Sequence, residues 1–418
     1  MHAILTSLGT DGDIIPYVAL GACLRRRGHR VTLVVAEDFC DGGEFDLEFI
    51  PLCSRGENHE LLSHPDFWHP LKGAQVGARW GVKRLVPQYE LFAELSGSAD
   101  AVLIASPALL AARVVHDKLG TPIATPILQP WMIKSSIAPP AMPAGLTLPR
   151  WAPRPMKSAY WRLIDSVVGM LLGGELNRLR ASLGLPPVHR MFEWWMSPQL
   201  ILGMFPDWYG LPQADWAPQI KLCGFPLFDG RATSELPAEV EDFCKSGAPP
   251  IACTFGTGMM HGAHLFRMAI EACRVLGARG ILLTRHTGQL PAELPPFMLQ
   301  CAFAPFGKLF PLCQAVVHHG GIGTIARALA AGTPQLVMPI AYDQLDNARR
   351  VSRLGAGTYL KPRHATAGKI AGAVRSLLGA EVKEQCKAIS SRLAQGVAIE
   401  RAADAVCALA GAAQADRA

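Results

Sequence analysis

The sequence predicts an α/β protein built from two Rossmann-like domains whose parallel sheets face each other across a cleft. Three observations carry this prediction. Short apolar runs alternate with longer segments of 3.6-residue period, the pattern of parallel strands covered by helices. The stretch GFPLFDGRATSELPAEVEDFCKSGAPP (224–250) breaks the alternation with Pro, Gly, Ser and acidic residues, as a linker does. A strand, a glycine turn and a helix start then recur in both halves, at Gly9–Asp13, Phe255–Gly258 and Val316–Thr324.

The elements follow in order. The first half gives strands near Ala3–Ser7, Arg30–Val35, Leu47–Ile50, Ala101–Ala105 and Pro122–Ala124, with helices near Ile15–Arg27, Gly73–Leu95 and Ala108–Leu119. The second half gives strands near Pro250–Phe255, Arg279–Thr284, Met298–Ala302, Ala315–Val317, Gln335–Met338 and Gly357–Leu360. Its helices fall near Ala263–Leu276, Thr324–Ala331, Asp343–Leu354 and Gly368–Leu378. Glu381–Ala413 is helical by composition and is expected to cross back to the first domain. The domain division is therefore 1–225, a linker at 226–248, a second domain at 249–395 and a crossing helix at 396–418.

With 418 residues, half of them hydrophobic, the chain can bury a large core. Only 18% are charged, and the +6 net charge is spread without a basic run, which argues against nucleic acid as a partner. The eleven scattered cysteines form no C-x-x-C pair and read as reduced thiols. The N-terminal apolar run is too short for a signal peptide, and no internal run is long enough to span a bilayer. A cytoplasmic protein is expected, with Met156–Leu185 an amphipathic helix that could touch the inner membrane face.

Each candidate site has a plain reading beside it. In VVHHGGIGTIARALAAGTPQLVMPIAYDQLDNARRV (316–351), backbone N–H groups and a helix dipole meet after the strand, a site for an anion such as a diphosphate. His318 and His319 could simply pack at the strand end. Successive strand residues point to opposite faces, so one of the two reaches a ligand. Asp343 and Gln344 lie on the next loop, placed to grip hydroxyls. Gly256 and Thr257, in Phe-Gly-Thr-Gly, offer a second anion loop or an ordinary turn. Asp13 reads as a helix N-cap or as a carboxylate facing the cleft. Asp11-x-Asp13 gives little reason to expect a metal, and G-x-G-x-x-G is absent, which leaves a dehydrogenase without its fingerprint. Trp131 and Met132 lie in the proline-rich stretch Pro126–Pro155, and these two and Trp80 read either as core or as the lining of a lipophilic pocket.

With these residues in hand, the chain resembles the nucleotide-sugar-dependent glycosyltransferases of family 1, which have the GT-B fold. HHGGIGT…AAGTPQLVMP…DQLDNA resembles that family's donor signature, and GTDGDIIPYVALGACLRRRGHRV its N-terminal opening. Within the family, MHAIL, MFEWWMSPQ, FPDWYGLPQADW, GFPLFDG and LGARGILLT are most similar to the rhamnosyltransferases of rhamnolipid synthesis. The resemblance implies an inverting, metal-independent transfer with no cofactor beyond a dTDP- or UDP-linked sugar. It implies Asp13 as the catalytic base, with Ser106 where plant relatives have a supporting Asp. It implies His319, Gly321, Gly323, Thr324, Thr257 and Gly256 at the diphosphate, and Asp343 and Gln344 at the sugar. Phe303 and Phe306 would cover the nucleobase, and Trp131, Trp80 and Met132 would line the acceptor pocket. The favoured pair is dTDP-L-rhamnose and a 3-(3-hydroxyalkanoyloxy)alkanoate, with UDP-glucose and a phenolic, polyketide or sterol acceptor as runner-up. A nucleotide-sugar epimerase and a non-catalytic partner subunit are the competing readings, and association with a partner enzyme stays open.

Overall fold

The computed structural model describes residues 1–40, 46–142, 145–149, 151–228, 235–393 and 396–415. Two all-parallel sheets form the frame. The first holds β1 (His2–Thr6), β2 (Arg30–Val35), β3 (Glu48–Pro51), β4 (Ala101–Ala105), β5 (Ile123–Ile127), β6 (Leu200–Gly203) and β7 (Ile220–Leu222), ordered β3-β2-β1-β4-β5-β6-β7. The second holds β8 (Ile251–Thr254), β9 (Gly280–Leu283), β10 (Met298–Cys301), β11 (Ala315–His318), β12 (Gln335–Val337) and β13 (Gly357–Tyr359), ordered β10-β9-β8-β11-β12-β13. Every residue of β1, β4 and β5 is buried, as near-continuous apolar runs in a sheet covered on both faces must be.

The strand order positions the site. In the first sheet the order reverses between β1 and β4, and in the second between β8 and β11. Helices leave opposite faces at such a reversal and open a crevice at the carboxyl ends of the strands. Thr254 pairs with His318 in register, so the turns after β8 and β11 emerge side by side.

Several elements depart from the sequence expectation. β6 and β7 extend the first sheet by two strands that were not anticipated. The Gly73–Leu95 helix is two helices, Gly73–Lys83 and Leu85–Leu95. Pro87, three residues into the second helix, has no N–H for the Lys83 carbonyl, and the chain breaks at Arg84. Helix Arg55–Ser63 was also not anticipated; Ser54 and Glu57 close its start with a reciprocal capping box. Residues 229–234 of the expected linker lie outside the described residues. The linker's remainder carries helix Ala238–Lys245, whose Val240 packs in the second domain beside Leu283 and Phe310. The C-terminal helical segment is two helices, Ala380–Ser390 and Val397–Ala415, separated near Gly396, which holds φ +80°.

The domains are joined by an apolar cluster to which both contribute. Ile127, Phe205, Tyr209 and Phe225 from the first meet Ile325, Leu329, Val337 and Val351 from the second. Helix Val397–Ala415 lies on the first domain, where Ile399, Ala402 and Val406 join the core around helix Asp11–Arg26. At the rim, Arg27 pairs with Glu400 and, at 2.7 Å, with Asp404. No helix among the described residues is long and apolar enough to cross a membrane.

Burial, rather than the rim ion pairs, holds this last helix. Ile399→Ala is expected to lower stability in chemical denaturation by about 2–4 kcal/mol through the cavity it leaves. Arg27→Ala should cost less than about 1 kcal/mol.

Candidate active site

On the second domain, the centre of the site is the His319 imidazole, which lies between two backbones. A Cβ on Gly321 would stand 2.6 Å from His319 Nε2, and one on Gly256 would stand 3.1 Å from it. Gly256 also holds φ +99°, so both glycines are required where they are. Gly321 is the N-cap of helix Ile322–Ala331, and a Cβ on Gly323 would meet only open space. The helix start therefore presents its first-turn N–H groups unobstructed next to the ring. Thr324 is buried in that turn, while Thr257 is exposed.

His318 points the other way. Its Nδ1 accepts from the Gly320 N–H at 3.1 Å, which makes Nε2 the protonated nitrogen, donating to Gln335 Oε1 at 3.0 Å. It is fully buried and fixes the turn. Burial holds both rings neutral: His318 is pushed down to about 3, and His319 to about 4 against the opposing pull of the Thr254 carbonyl.

The loop after β12 brings Asp343 and Gln344 to the same crevice. Gln344 Oε1 accepts from the Ile340 and Ala341 N–H groups at 2.8 and 2.9 Å, and among the described residues its amide NH2 stays available to donate. Asp343 Oδ2 accepts from Asn347 Nδ2 at 2.6 Å. Burial, and next the Asp13 charge from the opposite domain, raise Asp343 to about 7. Two carboxylates thus lie close enough across the cleft for one to act on the other.

Asp13 lies in the first turn of helix Asp11–Arg26, after the Thr10 N-cap. Its Oδ2 accepts from the Thr10 N–H at 2.9 Å and the Thr10 hydroxyl at 3.1 Å, which leaves Oδ1 uncommitted among the described residues. The side chain is the reciprocal half of a capping box rather than the N-cap itself. Gly9, at φ +132°, has no room for a Cβ beside that carboxylate. Burial raises the Asp13 pKa, opposed by the Thr10 hydrogen bonds. Ser106 and Ser7 surround the buried Tyr17 hydroxyl under this loop. Asp11 turns outward to Arg285 of the second domain, 3.0 Å away, so the two carboxylates of the D-x-D triplet serve different partners.

The two domains touch directly over the site. Gly258 has no room for a side chain, since a Cβ there would lie 2.6 Å from the Thr10 methyl and 3.1 Å from the Trp68 ring. Trp68 Nε1 donates to the Gly258 carbonyl at 3.2 Å, and the Tyr342 hydroxyl to the Phe67 carbonyl at 2.5 Å. Tyr342 sits at φ +53°, immediately before Asp343.

The remaining candidates separate. Phe303 is 37% exposed at the carboxyl end of β10, with the Arg285 guanidinium over its ring at 5.9 Å. Phe306 is instead stacked on the buried Phe310, centroids 4.5 Å apart, and anchors its turn. Trp131 and Met132 follow β5 at the cleft side, half-buried, with Met132 packed on the interdomain cluster. Trp80 does not line a pocket: it is 8% exposed, in a small core with Ala36, Cys53 and Leu61, and Arg84 covers its face at 4.0 Å.

Residues 3–137 match the glycosyltransferase family 28 N-terminal domain, and residues 278–408 match the C-terminal domain of erythromycin biosynthesis protein CIII-like proteins. Over 434 residues the chain is 30% identical to O-mycaminosyltylonolide 6-deoxyallosyltransferase of Streptomyces fradiae, covering 98% of this chain and 96% of the relative. The chain belongs to the EryCIII-like glycosyltransferases of the GT-B fold. The calicheamicin glycosyltransferase CalG4 superposes on this glycosyltransferase with a TM-score of 0.71 at 20% identity, covering 98% of each chain. The spinosyn rhamnosyltransferase SpnG, solved with thymidine diphosphate, does so at 0.66 and 18% identity, covering 97% of this chain and all of that one.

Three residues of this glycosyltransferase's cleft carry roles that the sequence reading did not assign. Asn347 was within reach, because it stands one helical turn beyond Asp343 on the same face. Arg285 and Tyr209 carry no local signal, since each acts on a partner from the other domain.

Because burial disfavours the imidazolium, 15N-histidine NMR should show the His318 and His319 rings neutral from about pH 8 down to about pH 5. The linkage has a definite sign. Both folded-state values lie below the unfolded value near 6.5, so the stability these rings confer is lost as pH falls below about 6.5 toward 4.

Proposed function

We propose that this glycosyltransferase performs a direct, inverting displacement at the anomeric carbon of a nucleoside-diphosphate sugar. The observation that carries the reading is convergence: His319 at a helix start, Asp343 tied through Asn347 to the same turn, and Asp13 of the other domain close enough to act on Asp343. Asp13 takes the proton of the acceptor hydroxyl on Oδ1 while Thr10 holds Oδ2 in place. Burial makes that carboxylate more basic than one in water, and a positioned base of this kind contributes roughly 10²–10⁴-fold. As the glycosidic bond breaks, negative charge moves onto the leaving diphosphate. The neutral His319 donates one N–H to it, and the N–H groups at Ile322–Thr324 and the Thr257 hydroxyl donate more. Asp343 and the free amide of Gln344 hold the sugar hydroxyls, and Phe303 covers the base, with Arg285 over its other side.

For the donor we favour dTDP-L-rhamnose, and for the acceptor a 3-(3-hydroxyalkanoyloxy)alkanoate. The donor is supported by the rhamnolipid-type segments of the sequence and by the likeness to a rhamnosyltransferase solved with thymidine diphosphate. A polyketide acceptor is the second reading, favoured by the 6-deoxyallosyltransferase acting on O-mycaminosyltylonolide.

A thermal-shift screen of dTDP- and UDP-sugars, followed by mass spectrometry of products, decides between them. Stabilisation by dTDP-rhamnose and rhamnosylation of the hydroxyalkanoate are expected, and a polyketide product alone would select the second reading. Asp13→Asn should lower transfer at least about 100-fold with nucleotide affinity nearly intact. His319→Ala should weaken nucleoside-diphosphate affinity at least tenfold, about 1.4 kcal/mol by calorimetry. Since Asp343 accepts hydroxyls as the carboxylate, kcat/KM for the donor should fall as pH drops through about 7, and Asp343→Asn should flatten that limb.

A further inference from the structure

Asn347 is fully buried and uses every polar atom of its side chain. Nδ2 donates to the Gly320 carbonyl at 3.0 Å and to Asp343 Oδ2 at 2.6 Å, and Oδ1 accepts from the Tyr209 hydroxyl at 3.1 Å. Gly320 is the residue between His319 and Gly321. Its φ is +99°, and a Cβ there would lie 2.7 Å from Val337 and 3.2 Å from the Gln344 carbonyl, so only glycine fits this turn. Tyr209 belongs to the first domain, is itself fully buried, and its carbonyl accepts from Arg350 at 3.0 Å and Arg353 at 3.3 Å on the Asn347 helix. One amide therefore ties the turn carrying His319, the carboxylate of Asp343 and the opposite domain.

We propose that Asn347 is a positioning residue that fixes Asp343 relative to the His319–Gly321 turn, and that Tyr209 ties this arrangement to the first domain. The inference rests on the reading of Asp343 as a contact to the donor sugar. A hydrogen bond left unmade inside such a network costs the desolvation of each stranded group, so no substitution at 347 preserves all three contacts. The turn itself keeps other supports, the Gly320 N–H to His318 bond and the Met338 N–H to His318 carbonyl bond. Loss of Asn347 should therefore disturb the sugar grip more than the diphosphate turn.

The test uses the full chain, with circular dichroism to establish folding of each variant. Asn347→Ala should lower donor kcat/KM at least about tenfold while dTDP and UDP affinities, by calorimetry, move less than about threefold. In an Asp343→Ala background the same substitution should cost less than about threefold, because its partner is already gone. The acid limb of the donor pH profile should also move to higher pH, since Asp343 loses the donor that favours its charged form. The other charged or titratable groups bearing on Asp343 are Asp13 across the cleft, Asp346 on its own helix and the Tyr209 hydroxyl, which burial keeps protonated, and Asn347→Ala alters none of them. Tyr209→Phe keeps both Asn347 donors and removes one bond, so a fall of a few-fold that vanishes with Asp343→Ala is expected even if Asn347→Ala does not fold. Equal losses in both backgrounds, or an unmoved acid limb, overturn the proposal. Full activity in Asp343→Ala would instead overturn the sugar-contact reading on which it stands.

Discussion

The His319 ring occupies a slot walled on both sides by glycine backbone, Gly256 at φ +99° and Gly321 at a helix N-cap. That clearance depends on β8 and β11 pairing in register, so that their two turns emerge at one height. It depends also on His318 turning inward to Gln335 and pinning Gly320 from below. Buried in this slot, the imidazole stays neutral at physiological pH and carries a single N–H. A neutral donor beside a helix dipole suits a diphosphate whose charge grows as the leaving group departs, because it needs no proton movement to act.

The remaining half of the chemistry arrives from another sheet, and packing decides how. The shared cluster around Phe205, Tyr209, Ile325 and Val351 supplies the apolar burial, which grows with area and dominates such contacts. The polar contacts over the cleft select the geometry. Arg285–Asp11 is half-exposed on the Arg285 side and contributes no more than about 1 kcal/mol. The Thr10–Gly258 approach, where no side chain fits, sets how close the Asp13 turn comes to the Gly256 loop. One consequence is electrostatic: after burial itself, the Asp13 charge across the cleft is the largest influence that makes the Asp343 charge harder to bear.

The sequence made the frame legible because parallel strands and glycine turns are local signals. β1, β4, β8 and β11 are short apolar runs ended by Gly, Ser or His, and helix starts follow by capping chemistry. β6 and β7 were not legible: four and three residues long, they lie in proline- and tryptophan-rich text with no helix between them to mark a crossover. Pro87 could have announced the break at Arg84, since proline near a helix start removes a donor. Trp80 looked like pocket lining because an aromatic residue on an expected helix carries no sign of what its face packs against. Asn347 with Tyr209, and Trp68 with Gly258, are contacts between residues 138 and 190 positions apart, fixed only by the docking of the two sheets.

The most direct measurement is a crystal structure of the chain soaked with dTDP or UDP. The diphosphate is expected between the Gly256–Thr257 turn and the N–H groups of Ile322–Thr324, with His319 Nε2 within hydrogen-bonding distance of a phosphate oxygen. A nucleotide whose diphosphate lies away from His319, with the slot between Gly256 and Gly321 playing no part, would contradict the account.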